Sequence, residues 1–195
     1  MTTPYQRDLR DRLLAAPVRP APEPWRPVFG PYRKPEFPPC AAVGGLLGIG
    51  FATHPGTGHD LVLVVSGAGH GLFDAVTGEK IARDRDPDEG VSGADLTCPG
   101  LGPIAGRRVP VAGIDGGGLH AGTQDGWWVE VEVPQWPEER VLLSNGGRFH
   151  NSPHGEGWWH ILHSRYSTFR AAGFSPSGRT LAVATSSDLT LWTRA

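Results

Sequence analysis

The chain has 195 residues, a formal net charge of -2, 38% hydrophobic and 19% charged residues, and 28 Gly with 19 Pro. This length fits one domain with a tail and can bury a core, while the Gly and Pro content excludes long helical bundles and coiled coils. The near-neutral balance lacks the basic excess that displaces counterions from phosphate backbones, so no nucleic acid is expected as a partner.

No run approaches the ~20 apolar residues that span a bilayer, and the first residues lack the apolar stretch of a secretory signal, so the sequence predicts no membrane association and a cytoplasmic location. Sixteen of the 18 basic residues are Arg, with Lys34 and Lys80 the lysines, which is the bias of a high-GC bacterial genome. Cys40 and Cys98 stand 58 residues apart, which excludes a disulfide framework or a CxxC metal site and leaves a single bridge open.

In chain order, the first 16 residues carry the one strong helix signal. Thr3 is placed as N-cap, Pro4 at N1 and Gln6 at N3 of a capping box, Asp8 pairs with Arg12 one turn on, and Pro17 ends the helix. Tyr5, Leu9, Leu13 and Ala16 share one face, which packs on the domain or docks a partner. From Pro17 to Pro39 there are nine prolines in 23 residues, interleaved with Trp25, Phe29, Tyr32 and Phe37. Such a segment is neither helix nor central strand; its spaced aromatics predict an arm pinned across the domain, with PxxP-type recognition as the alternative. The chain thus divides into residues 1–39, helix and proline-rich arm, and 40–195, a β domain. Beyond Cys40 short apolar runs alternate with Gly, Asp and Ser turns, the signature of an all-β fold. Leu61 to Val65 reads as a strand buried on both faces, Trp127 to Val133 as a half-exposed one.

Residues Phe169 to Trp192 read as strand, Ser-Pro-Ser-Gly turn, strand, Ser-Asp turn, and a strand ending in Trp; this stretch resembles a WD40 repeat. A second copy lies on Leu61 to Asp84, with His70-Gly-Leu-Phe-Asp74 as its third strand and Val76 to Lys80 as the turn after it. A third runs from Arg108 to Ser144, with Thr123 to Val129 as turn and third strand. Phe73, Val129 and Trp192 are then equivalent, at spacings of 56 and 63 residues, wider than the ~40 to 45 of a usual blade. The resemblance implies four-stranded blades and a last blade completed by an N-terminal strand, here Trp25 to Phe29 or Gly44 to Phe51. Three units fall short of the ~4 to 8 that close a ring. A further unit is then sought between Asn145 and Arg165 or in the N-terminal region, or a second copy of the chain completes the ring as a homo-oligomer. The expected fold is a small or incomplete β-propeller-like repeat of antiparallel sheets with a short N-terminal helix and a proline-rich arm; a β-sandwich is its competitor.

Four histidines, His150, His154, His160 and His163, cluster with Glu156, a density of imidazoles suited to zinc. The odd separation of His160 and His163 places them on opposite faces of a strand unless a bulge intervenes. Asp84, Asp86, Asp88 and Asp95 occupy positions 1, 3, 5 and 12 of a calcium-loop template, but Glu89 stands where the template needs Gly. Gly116 to Ala121 spells GxGxxA without a following helix, so a tight β-turn is expected. Ser66 and His70 are near in sequence but lack a nucleophile elbow.

Alternation turns one member of each Trp pair outward, and an exposed Trp offers large contact area at small entropy cost. The binding surface is therefore placed at Trp127, Trp128, Trp136, Trp158 and Trp159, with Trp127 exposed if Trp128 packs inward, unless the arm covers the outer rings. The reading that follows is a non-enzymatic, WD40-like protein-interaction module needing no cofactor, in concrete form a bacterial immunity or adaptor protein. A metal-dependent enzyme on the histidine cluster and a carbohydrate-binding module on the Trp pairs are the alternatives.

Overall fold

The structure, a computed structural model, describes residues 3–146 and 152–194. Helix α1 (Pro4–Ala15) begins as its residues predict: Gln6 N–H donates to Thr3 Oγ1 at 3.2 Å and Thr3 N–H to Gln6 Oε1 at 2.8 Å. Asp8 pairs with Arg12 at 3.1 Å, and Pro17 follows the helix. The arm then contributes β1 (Arg26–Pro27), and just after it comes β2 (Ala41–Ala42). β3 (Leu46–Thr53), β4 (Asp60–Ser66), β5 (Gly69–Asp74) and β6 (Lys80–Asp84) form an antiparallel meander. β7 (Thr97–Pro99) and β8 (Arg108–Pro110) make a two-stranded ladder, and β9 (Ala112–Gly113) joins the free edge of β3. β10 (Trp127–Gln135), β11 (Glu138–Asn145) and β12 (Trp158–Ser164) build a three-stranded sheet; β13 (Phe169–Phe174), β14 (Thr180–Thr185) and β15 (Asp188–Thr193) build another.

The β13–β15 sheet is the middle layer of a stack. Leu181, Val183, Phe174 and Trp192 face Val129, Val141, Leu143 and Ile161 of the β10–β12 sheet. The alternate residues Ala182, Ala184, Leu189 and Leu191 face Ile49, Val62, Val64 and Phe73 of the β3–β6 sheet. Small alanines opposite large β-branched and aromatic side chains let the two layers approach closely. The outer face of β4, with Leu61, Leu63 and Val65, is covered in turn by Cys98, Ile104, Val109 and Val111, so the Leu61 to Val65 run is buried on both faces as its composition predicts. On the far side, Leu13 of α1 and Ala16, which caps its C-terminus, close over Leu142 and Trp158. At about 1.5 to 3 kcal/mol for each large side chain removed from water, these layers supply the main driving force of folding.

The edge of β15 is occupied. Arg26 and Pro27 lie opposite Thr193 and Trp192, Val28 N–H donates to Leu191 C=O at 3.0 Å, and Ala41 and Ala42 pair with Leu189 and Asp188. Of the two segments considered for this place, Trp25 to Phe29 takes it; Gly44 to Phe51 instead enters β3, where its alternating apolar side chains pack beneath the middle sheet. At Gly50 a side chain would come within 2.2 Å of the Pro110 carbonyl, so close passage of the β8 segment over β3 requires glycine. Aromatic residues pin the arm: Trp25 meets Trp127 edge-on at 5.8 Å and Phe174 at 5.4 Å, Phe29 meets Phe73 at 6.1 Å, and Trp192 Nε1–H donates to the Tyr32 hydroxyl at 3.0 Å.

Two of the three sequence copies fold as antiparallel meanders. The third does not: β8 pairs with β7, β9 with β3, and Val129 lies on β10, the first strand of its sheet rather than the third. The stretch from Asn145 to Arg165 supplies β12 to that sheet. Chain pairing here follows long-range burial, which a local alignment of turns does not carry.

Candidate functional site

The site grows out of an irregularity in β12. Leu142 lies opposite His160 and Val141 opposite Leu162, so Ile161 is an extra residue, a β-bulge. Past the bulge Arg140 lies opposite His163, and the one-residue slip brings His163 to the same face as His160, Arg140 and Leu142. The ring centroids of His160 and His163 are 5.6 Å apart. This is the outer face, roofed by the C-terminal turn of α1. Arg140 Nη1 donates to the carbonyls of Leu13 at 3.2 Å and Ala16 at 3.4 Å, and His160 Nδ1 donates to Ala16 C=O at 2.9 Å. A guanidinium and an imidazole thus satisfy carbonyls the helix end leaves open, where the helix dipole favours positive charge.

Burial, more than any neighbour, pushes His160 down to about 4, so it is neutral at pH 7, with its proton on Nδ1 and a lone pair on Nε2. His163 is lowered by burial and by Arg140; its Nε2 lies 2.8 Å from Glu138 Oε2, a close ion-pair distance without the alignment of a hydrogen bond. His154 is lowered by burial and Arg19, and its Nε2 accepts the His160 backbone N–H at 3.2 Å. His150 lies outside the described residues. Among the described residues no three His, Cys, Asp or Glu side chains meet in a metal-holding group.

Beside this cluster a cleft of about 510 Å³ runs from the end of α1, past the edge of β12, to the β14–β15 turn and residues 36–40. Arg140, His160, His163 and Arg165 form one wall. Glu36 and Asp188 also line it, and Asp188 accepts from the Cys40 thiol at 3.5 Å and the Ser187 hydroxyl at 2.5 Å. Phe37 and Tyr166, both largely exposed, stand at its rim. Burial, then Asp188, pushes the Cys40 thiol up to about 11, so it is a thiol and not a nucleophilic thiolate at neutral pH. Cys40 and Cys98 are both free.

One member of each Trp pair is buried and the other half-buried. Trp127 and Trp158 are buried, the first against Trp25 and the second under α1. Trp128 is half-buried and packs on Gly122, where a Cβ would meet its ring at 3.0 Å; Trp159 is half-buried against Trp127 at 6.1 Å. Trp127 is therefore not a surface ring, because the arm delivers Trp25 to the side of β10 that it occupies. Trp136, at the turn between β10 and β11, is 83% exposed.

The other motifs resolve into local structure. Ser66 Oγ donates to Gly69 C=O at 2.8 Å within its turn, and His70 is buried beside the Cys98 sulfur at 3.5 Å. Gly113 and Gly116 exchange hydrogen bonds in a tight turn in which Gly116 and Gly117 have positive φ. Of the acidic run, Glu89 pairs with Arg108 at 3.0 Å and Asp95 accepts from the Thr97 hydroxyl at 2.8 Å, so these carboxylates turn to local donors. Sequence reasoning missed Arg140 and the cleft; the one available signal is that Arg140 shares its strand face with Leu142, which has meaning only once that face is known to be covered.

Compared with protein families, curated proteins and solved structures, the chain matches none of them.

Proposed function

We propose that this protein is a non-enzymatic protein-interaction module of WD40-like type, an adaptor or immunity protein in its concrete form, whose contact surface centres on the β10–β11 hairpin. Trp136 carries this reading. An indole 83% exposed at a hairpin tip, with Val133 43% exposed on the strand that leads to it, contributes nothing to the core, and exposed Trp is among the residue types most enriched where binding energy concentrates. The stack of antiparallel sheets supports the WD40-like part of the proposal: the C-terminal unit is a three-stranded meander with its outer edge covered by an arm strand. Trp127 and Trp158 leave the proposed surface because both belong to the core.

The test is capture from native host lysate with wild-type protein and Trp136→Ala. One stoichiometric partner held by the wild type and lost by the variant, at unchanged thermal midpoint, is the expected result. Equal capture by both proteins, or none by either, overturns the reading.

A further inference from the structure

The cleft beside α1 carries chemistry that the Trp136 surface does not use. Arg140 is buried, yet among the described residues no carboxylate lies within ion-pair distance of it. Its Nη1 is turned to the helix carbonyls, and the opposite edge, Nε and Nη2, makes no hydrogen bond among the described residues. That edge is a planar two-donor fork matched to an oxyanion, and Glu138 acts on the guanidinium only from beyond ion-pair distance. Next to it, His160 presents the complementary need. Its Nδ1–H is fixed on Ala16 C=O, so Nε2 bears a lone pair, and this buried atom has no partner. A group that satisfies both must accept from Arg140 and donate to Nε2.

Water or an alcohol does both but brings no charge, and few anions do so at neutral pH. A carboxylate accepts but has lost its proton far below pH 7. A carboxamide donates but gives the guanidinium fork no direct anionic partner. A phosphate monoester has a second ionisation near pH 6, so about a tenth of it still carries a proton at pH 7, and that form can keep the proton on the phosphoryl oxygen or pass it to Nε2. We propose that this end of the cleft binds a phosphate monoester, with Arg140 Nε and Nη2 on two phosphoryl oxygens, one proton between the third and His160 Nε2, and an apolar body against Phe37 and Tyr166.

The charged groups around His160 are consistent with one anion there. Arg140 faces it from β11 and His163 from β12, Glu138 is drawn to His163 and also acts on Arg140, Arg19 donates its backbone N–H to His160 C=O, the end of α1 brings only carbonyls, and Glu36 and Asp188 line the cleft as well. Nε2 is sealed from water, so the donor reaches it with a side-chain movement in the cleft wall.

The experiment is calorimetric titration of the wild-type protein at pH 7 with phenyl phosphate, inorganic phosphate and phenyl sulfate, paired with ¹⁵N spectra of the histidine rings. Phenyl phosphate is expected to bind at least about ten-fold more tightly than phenyl sulfate, which has equal shape but no proton to share. The His160 Nε2 signal should leave its lone-pair position as phenyl phosphate is added. Inorganic phosphate binding as well as phenyl phosphate would assign the site to free phosphate; weaker binding would assign it to an ester with an apolar body. Arg140→Gln should lose at least about ten-fold in affinity. If that variant fails to fold, the wild-type Nε2 signal decides alone. Sulfate binding as tightly as phosphate, an unmoved Nε2 signal, or no heat at millimolar phenyl phosphate overturns the proposal.

Discussion

β14 is an inner strand of its sheet and β12 an edge strand of its own, and the two differ in kind. Every residue of β14 is buried, Leu181 and Val183 on one face, Ala182 and Ala184 on the other, and its pairing with β15 runs without a break. β12 begins in the same way, with Trp158 and Trp159 on opposite faces, and then slips by one residue and gathers His160 and His163 beside Arg140. The regular strand makes the molecule stable; the irregular one assembles a polar cluster under a helix end, at the wall of the cleft. A strand buried on both faces keeps only polar groups that find a partner, as Thr180 does at Asp60, so the larger polar groups collect where the alternation fails and a roof of different origin, here the carbonyls at the end of α1, can accept the hydrogen bonds.

Breaking the dry layer should have the largest effect. Trp192→Ala is expected to destabilise by about 3 to 5 kcal/mol in urea unfolding, because it opens a cavity between two sheets and removes the partner of the Tyr32 hydroxyl. A loss below about 1 kcal/mol would mean that the middle layer is not packed as described.

Acid should act on the β12 side. His160 takes up its proton near pH 6.5 when unfolded but only at about 4 when folded, so between these values the unfolded chain holds more protons. Stability is therefore full above about pH 6.5 and falls as pH drops toward 4, by about 2 to 3 kcal/mol from this residue. His163, His154 and His70, each lowered mainly by burial, act in the same direction. Unfolding midpoints between pH 7 and pH 4.5 would show it, and His160→Gln should flatten the slope.

The smallest of these effects is expected at the seam between the β3–β6 and β13–β15 sheets. Asp60 Oδ2 accepts the hydroxyls of Ser175 at 2.8 Å, Ser177 at 2.7 Å and Thr180 at 2.9 Å, tying the start of β4 to the β13–β14 turn. Asp60→Ala leaves three hydroxyls without their acceptor and should cost about 2 kcal/mol in urea unfolding. Unchanged stability would show that apolar contact alone aligns the two layers.

Helix α1 was legible to the residue, since the capping box, the Asp8–Arg12 pair and Pro17 act over three or four positions and need no partner elsewhere. The arm's aromatic rings announced that it would be pinned, and Leu61 to Val65 announced two covered faces. Turn signals around Ser175 to Ser177 placed the C-terminal meander, whereas the same signals around Thr123 misplaced Val129, because a turn does not say which strand lies beyond it. The candidate site was half legible. Its histidines stand out in composition, but Arg140 reads as an ordinary strand residue, and nothing near Trp127 in sequence says that Trp25 will cover it.

The amino-acid sequence by itself determined the local geometry: one capped helix, an extended proline-rich arm, strands set by period-two alternation, and glycine turns. Those features arise from interactions over a few residues and from the limits that Pro and Gly place on the backbone. Only the tertiary structure decided which sheet each strand joined, that the arm would close the β15 edge, and that a bulge at Ile161 would turn His163 toward His160 and Arg140. Register and bulges are chosen by the surfaces buried across sheets, and those surfaces come from residues more than a hundred positions apart, as Arg140 and Leu13 are.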